Sequence, residues 1–508
     1  MVLTLAGPGA GKTTDMVEQI AIRVAELNSN REMAIITYTN ASADDIKKKL
    51  ADKIIISPNI FIGTIHSFLV HYFIKPYANY LGFKANPMLI VEKFNDVGVD
   101  WIEKWVKEKN PNKNAKERKI LVDRMLLKRR NQTVHSAAKK GIYTYDSIVK
   151  IARELSEKTE VMDSISKKIQ FLFVDEYQDI SSYGHNIILK IEKRNHTQIN
   201  MVGDPDQSIY RFRYGHSQIG ERAPQEGKQP IRDLIKNEKC EKRNLLINHR
   251  SSEEIVNFIN RYTTLEKQVP EKEAVCKIHI IKSTDTKEIY KIFSSKCMKY
   301  KCKDKLVISE KNKCLKSFEE FELKKKTRID VRLIQDYLIS ASGLKYDSFL
   351  EKYDMTPFEV KRIAVGVRRI LESNPQSDIK ETVEQYCKTN HIKTLKFGDS
   401  AYKDENGKLQ KYGFSANFEN SDSKEDELNM LTIHKAKGLE ADGILVVAEN
   451  SKQFFKWLNM SSDDLKNETD EEYRLGYVAY SRPKKLLVLS CLEDIDCSKL
   501  DKGLFEII

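Results

Sequence analysis

Two periodicities of apolar positions run through this chain and predict its elements. Residues 2–6, VLTLA, are a short apolar run of the kind a strand buried on both faces requires. Residues 13–28 place Met16, Ile20 and Val24 at helical spacing. AIITYT (34–39) predicts a second strand, and ASADDIKKKLADK (41–53) a second helix. Strand, loop, helix, strand is the opening of a parallel α/β sheet. Residues 69–168 read as mostly helical and basic, with WIEKWVKEK and KERKILVDRMLLKRR as charge-rich amphipathic stretches. IQFLFVDEYQD (169–179) and INMVGDPDQS (199–208) then supply two more strands, each ending in a polar loop.

LLINHRS (245–251) begins a second α/β unit, in which KIHIIK (277–282) and KLVIS (305–309) alternate with helical KEIYKIFSSKCMKY and LKSFEEFELKK (315–325). Residues 328–396 return to a helical pattern. Residues 398–427 are rich in Gly, Asn, Asp and Ser and read as a loop. Strand character resumes in TIHKAKGLEADGILVVAE (432–449) and KLLVLSCLE (485–493).

At 508 residues the chain is long enough for two to four domains, and its 40% apolar and 31% charged content suits a globular protein with a sizeable core. A net charge of +12 leans toward a polyanionic partner. Eight scattered cysteines without a CxxC pair indicate neither a disulfide scaffold nor a zinc ribbon; Cys297, Cys302 and Cys314 read as reduced thiols. No apolar run reaches the ~18 residues of a membrane span, so the expected location is cytoplasmic, with no membrane partner.

Two stretches carry chemistry. AGPGAGKTT (6–14) is a relaxed phosphate-binding loop, with Ala6 where the strict form has glycine. Gly7, Gly9, Ala10 and Gly11 let backbone N–H groups turn toward phosphate oxygens, and Lys12 reaches the β- and γ-phosphates. Thr13 can hold Mg²⁺, and Thr14 completes the cradle. FLFVDEYQD (171–179) sets Asp175 and Glu176 at the end of an apolar strand. Asp175 is the candidate Mg²⁺ ligand, and Glu176 the base that orients and deprotonates an attacking water. A strand ending in Asp-Glu is common by itself; paired with an upstream phosphate loop it points to nucleotide hydrolysis.

The ordered set of stretches resembles the superfamily 1 DNA helicases of the UvrD/Rep type. ITYTNASADDIKKKL (36–50), FIGTIHSF (61–68), VDEYQD, VGDPDQSIYRFRYG (202–215), LINHRS, LTIHKAKGLE (431–440) and EEYRLGYVAYSRPKKLL (471–487) follow the phosphate loop in the family's order. The resemblance implies an α/β fold with two RecA-like P-loop NTPase motor domains, each built on a parallel sheet. The first would span 1–68 and 169–240, with a helical insertion (1B) at 69–168. The second would span 241–327 and 429–508, with a reduced second insertion (2B-like) at 328–428.

By position, the resemblance further implies that Gln207 senses the γ-phosphate and that Arg250 and Arg482 reach it as arginine fingers from the second domain. Glu440 falls near the ribose or the γ-phosphate network, with Gly438 allowing close backbone approach. Tyr38, Asn40, Thr64, His66, Tyr210, Phe212, Arg213 and His434 fall where the family lays single-stranded DNA, and aromatic faces stack on bases of any sequence. The implied activity is 3′→5′ translocation or unwinding driven by ATP with Mg²⁺. GTIHSFLVHYFIKPY (63–77) and FVDEYQDISSYGHNIILKI (173–191) are most similar to the helicase subunit of Gabija anti-phage systems, which implies an OLD-family nuclease partner. A DNA-end-activated nucleotidase and a general repair helicase are the alternative readings.

Two departures from the family pattern bear on the base. The glutamine segment that normally precedes the phosphate loop has no room ahead of residue 6, unless translation begins upstream. The tyrosine that stacks on adenine is replaced by His249. Relaxed selectivity is therefore expected, with GTP or deoxynucleotides used beside ATP.

Overall fold

The computed structural model describes residues 1–86, 88–91, 100–210, 229–318, 331–341, 346–355, 357–373, 379–390, 428–467 and 470–508. Three strands open the chain: β1 (Val2–Ala6), β2 (Glu32–Thr37) and β3 (Ile60–Thr64). A short parallel ribbon of β4 (Leu89–Val91) and β5 (Ile142–Thr144) stands apart from them. Then come β6 (Ile169–Val174), β7 (Gln198–Gly203) and β8 (Glu241–Leu245). The first sheet has the order β3-β2-β6-β7-β1-β8, and every pair in it is parallel.

Strand alternation lets this sheet bury both faces. Met33, Ile35, Phe171 and Phe173 meet Met16, Val17 and Ile20 of helix Lys12–Val24, with Ile46 and Leu50 of helix Asn40–Ala51. Ala34, Ile36, Leu172 and Val174 face the opposite core. That core takes in Phe68, Tyr72 and Phe73, Ile148 and Ile151 of helix Tyr145–Ser156, and Ile165 of helix Thr159–Lys168. The two ends of the segment 69–168 thus pack on the first sheet, while helices Asp100–Lys109 and Ala115–Lys139 lie between them in the chain.

The sequence ends the first unit at 240, but the sheet continues through β8. Its residues, EKRNL, are mostly polar and give no apolar strand signal, yet they supply the ladder on the open side of β1. Without them β1 would be an unpaired edge.

A second ribbon pairs β9 (Ile247–Ser252) with β10 (Val269–Lys272). The second sheet follows: β11 (Ile278–Ile281), β12 (Lys305–Ser309), β13 (Leu428–Thr432), β14 (Ala441–Ala448), β15 (Pro483–Cys491) and β16 (Phe505–Ile507). Its order is β13-β12-β14-β15-β11-β16, again parallel throughout. Ile444 and Val446 face one core, and Leu445 and Val447 the other. Two parallel α/β sheets, each covered on both faces, match the expected pair of RecA-like domains.

Between β12 and β13, helices Val331–Ala341, Tyr346–Tyr353, Pro357–Ser373 and Ile379–Thr389 enclose their own core of Ile334, Leu338, Phe349, Val360, Ile363 and Val367. The helix expected at 315–325 is described only near its start, as part of Asn312–Lys316; its remainder from 319 and the expected loop at 398–427 lie outside the described residues. Among the described residues no helix is long and apolar enough to cross a membrane.

Candidate nucleotide site

The phosphate loop leaves the C-terminal end of β1 and enters helix Lys12–Val24. Gly9 and Gly11 have φ of 73° and 75°, the left-handed region that glycine enters without penalty. The ribbon strand β9 closes over the loop. Asn248 Nδ2 donates to the Pro8 carbonyl at 2.8 Å, and the His249 N–H donates to the Gly9 carbonyl at 3.0 Å. A Cβ on Gly9 would lie 2.7 Å from Asn248 Oδ1 and 2.8 Å from Arg250 Cβ, so close approach demands glycine as well. Gly7 is crowded in the same way by the Gln268 side chain, at 2.9 Å. Ala10 is buried, Lys12 Nζ donates to the Ala6 carbonyl at 3.3 Å, and Thr13 and Thr14 lie in the helix's first turn.

β6 delivers the two acidic groups. Asp175 is buried, and its N–H donates to the Ile36 carbonyl at 2.8 Å. Its Oδ1 is buried and has no hydrogen-bond partner among the described residues, so this oxygen is open to a cation or a cation-bound water. Burial, with Glu176 beside it, pushes its carboxyl up to about 7 against the pull of Lys12. Glu176 has φ of 49°, a strained backbone of the kind found at functional sites. Burial alone would raise its carboxyl, but Lys12, Lys437, Gln178 and Arg482 outweigh it and hold the group below its ordinary value.

Groups from the second unit complete the cleft. Gln207 Nε2 donates to Asp204 Oδ2 at 2.7 Å, and its Oε1 accepts from Arg482 Nη2 at 2.6 Å. Arg482 also donates from Nε to the Val478 carbonyl at 3.0 Å, and burial together with Arg250 lowers its guanidinium from the usual value. Arg250 Nε donates to Glu440 Oε2 at 2.5 Å, and Lys484 holds the other oxygen of Glu440 at 3.0 Å. Glu440 therefore orients an arginine. Gly438 has φ of 82°, and a Cβ added there would meet nothing within 4 Å, so backbone conformation and not close approach calls for glycine. His249 is exposed, its Nδ1 lies 2.9 Å from Glu271 Oε2, and its ring lies beside Gly11.

Sequence reasoning missed Lys437. Its side chain is 6% exposed, pairs with Asp179, and donates to the Gln207 carbonyl at 2.6 Å. It lies inside the quoted KAKGLE stretch, but its partner is 258 residues away. Asn248 and Gln268 were missed for the same reason.

Three of the DNA candidates, Tyr38, Tyr210 and His434, meet one another across the two units. Tyr38 stacks on Tyr210 with centroids 4.7 Å apart and planes 13° apart. The Tyr210 hydroxyl donates to the His434 carbonyl at 2.9 Å, and Lys437 Nζ lies 4.9 Å from its ring centroid. His66 packs edge-on to Tyr145 at 5.0 Å, and burial pushes its imidazole down to about 4. The Thr64 hydroxyl caps helix Ile65–Leu69 by accepting from Ser67 N at 3.3 Å. Asn40 is the exposed first residue of helix Asn40–Ala51. Phe212 and Arg213 lie outside the described residues.

Comparison with known proteins agrees with this geometry. A family described as AAA domain matches residues 1–213, and the UvrD-like helicase C-terminal domain matches residues 380–494. The chain is similar to the ATP-dependent DNA helicase SRS2 of Saccharomyces cerevisiae, 24% identical over 306 residues, covering 50% of this chain and 24% of the relative. It is 28% identical over 213 residues to the Gabija protein GajB of Bacillus cereus, covering 42% and 38%. It is 21% identical over 441 residues to a probable DNA helicase II homolog of Mycoplasma genitalium, covering 71% and 60%. The matches therefore span from 24% to 60% of the length of these relatives. A phosphate-loop unit and a unit matching the UvrD-like helicase C-terminal domain thus meet in one cleft, and the chain is similar to UvrD/Rep-type helicases in both.

Proposed function

We propose that the chain is a nucleoside-triphosphate-driven motor on single-stranded DNA, a 3′→5′ translocase or helicase that hydrolyses ATP with Mg²⁺. The observation that carries this reading is the Gln207 amide, held between Asp204 of the first unit and Arg482 of the second, beside the phosphate loop and the Asp175–Glu176 pair. Backbone N–H groups of residues 7–14 and Lys12 bind the phosphates. Thr13 and Asp175 would hold Mg²⁺, which would supply charge neutralisation on the phosphates. Glu176 takes the proton of the attacking water. Arg250 and Arg482 stabilise the charge on the transferring phosphoryl group, a role suited to a planar, permanently charged fork. Tyr38, Asn40, Thr64, His66, Tyr210, Phe212, Arg213 and His434 form the DNA track, and closure of the cleft shifts that track along the strand.

The same reading extends to an anti-phage role with a nuclease partner of the OLD family, supported by the similarity to the Gabija protein GajB. It also includes relaxed base selectivity, with His249 facing the base.

Hydrolysis measured with ATP, GTP, dATP and CTP, with and without single-stranded DNA and beside a strand-displacement assay, tests the proposal. Lys12→Ala and Glu176→Gln are expected to lower DNA-stimulated turnover by at least about a hundredfold. Undiminished turnover in either folded variant would reject the site. Strong turnover with no displaced strand would assign a DNA-activated nucleotidase instead, and use of ATP alone would remove the relaxed-selectivity clause.

A further inference from the structure

The segment 205–210 follows β7 of the first sheet, yet much of its hydrogen bonding runs to the second unit. The Asp206 carboxylate is fully buried, and four donors converge on it. Oδ2 accepts from Thr263 Oγ1 at 3.0 Å and from the Thr264 N–H at 2.6 Å. Oδ1 accepts from Thr264 Oγ1 at 2.5 Å, the third donor from the second unit, and from Arg232 Nη2 of the first unit at 3.2 Å. Next along the chain, the Gln207 carbonyl accepts from Lys437, and the Ser208 carbonyl from Arg474 Nε at 2.8 Å. Ile209 is buried in the second unit's core with Phe258, Ile280 and Val446. The ties back to the first unit are fewer: Arg232 on Asp206, Ser208 Oγ donating to the Gln178 carbonyl at 3.1 Å, and the stack of Tyr210 on Tyr38; just upstream, the Asp204 N–H donates to Gln178 Oε1 at 3.0 Å.

Thr263 and Thr264 come just after helix Glu253–Ile259, which continues from β9, the strand that carries Arg250. A buried carboxylate under several donors is a strong anchor, because losing it leaves those donors unpaired. We propose that Asp206 is a positioning residue that pins the 205–210 segment to the second unit, so that Gln207 is presented to the nucleotide together with Arg250 and Arg482 and follows them when the cleft opens. The hinge between the units at this crossing then lies at Gly203–Asp204, upstream of the pin. The consequence for catalysis rests on reading Gln207 as the residue that faces the γ-phosphate; the anchor itself does not.

Hydrogen–deuterium exchange on the full-length protein, run beside hydrolysis kinetics, separates the two. In Asp206→Asn the Thr264 amide and the peptide spanning 204–210 are expected to exchange about tenfold faster, and kcat to fall about tenfold while KM for nucleotide stays within about twofold. Thr264→Val, which removes only the hydroxyl, should move both readouts in the same direction, and Thr264→Ser should restore them. If Asp206→Asn does not fold, the Thr264 pair decides. Wild-type exchange at 204–210 in the folded variants, or a rise in KM matching the fall in kcat, would overturn the proposal. If the wild-type protein hydrolyses no nucleotide, the functional reading fails, and the exchange at Thr264 and 204–210 still decides the anchor.

Discussion

Lys437 and Asp179 form a buried ion pair between the two units, with side chains 6% and 1% exposed. Removing one member of such a pair leaves an uncompensated charge, which costs about 3–5 kcal/mol. Lys437→Met is therefore expected to lower the melting temperature markedly, and pH supplies a signed check. Burial pushes the Asp179 carboxyl up to about 7 even with Lys437 beside it. The folded chain thus keeps a proton that the unfolded chain releases, and the stability from this group, full at low pH, is lost as pH rises through about 7. Without Lys437, ionising Asp179 in the fold costs more, so the loss continues above that point. The gap in melting temperature between wild type and Lys437→Met should widen from about pH 6 to about pH 8. A gap that is constant or narrows with pH would show that the pair does not hold Asp179 ionised.

At the scale of elements, two glycines with positive φ separate strain from contact. Gly9→Ala combines left-handed strain of roughly 1–2 kcal/mol with a collision against β9, so the ribbon cannot seat on the phosphate loop. Gly438→Ala carries the strain alone, because its Cβ would point into open space. Thermal melts should show the larger loss for Gly9→Ala, and nucleotide affinity, read by titration with a fluorescent nucleotide, should fall by more than about tenfold only for Gly9→Ala. Equal affinity losses would mean that β9 does not contribute to the nucleotide site. The phosphate loop was legible in the sequence because its groups are consecutive residues on one turn. The strand β8 was not, because EKRNL lacks the apolar run that signals a strand and pairs only because β1 needs a neighbour. Within FIGTIHSF, the strand β3 and the helix that Thr64 caps are two short elements back to back, too brief for either periodicity to register.

At the scale of the molecule, the net charge of +12 predicts how the single strand of the proposed function would be held. If phosphates are neutralised by lysine and arginine, the logarithm of the affinity should fall linearly with the logarithm of salt, by roughly 0.7 per phosphate contacted. Fluorescence anisotropy with a labelled oligonucleotide over a salt series measures the slope. A flat response would remove the phosphate track and leave stacking as the only means of holding DNA.

The sequence by itself determined the two-unit α/β plan and the placement of the phosphate loop, Asp175 and Glu176 at the ends of their strands, because these depend on short-range periodicity and on groups adjacent in the chain. The tertiary structure alone decided which groups face them. It brought Arg482 onto Gln207, Lys437 onto Asp179, Glu440 onto Arg250 and Tyr38 onto Tyr210. Each of these contacts joins residues far apart in the chain, and a contact of that kind follows from how the two sheets are set against each other, which no local pattern encodes.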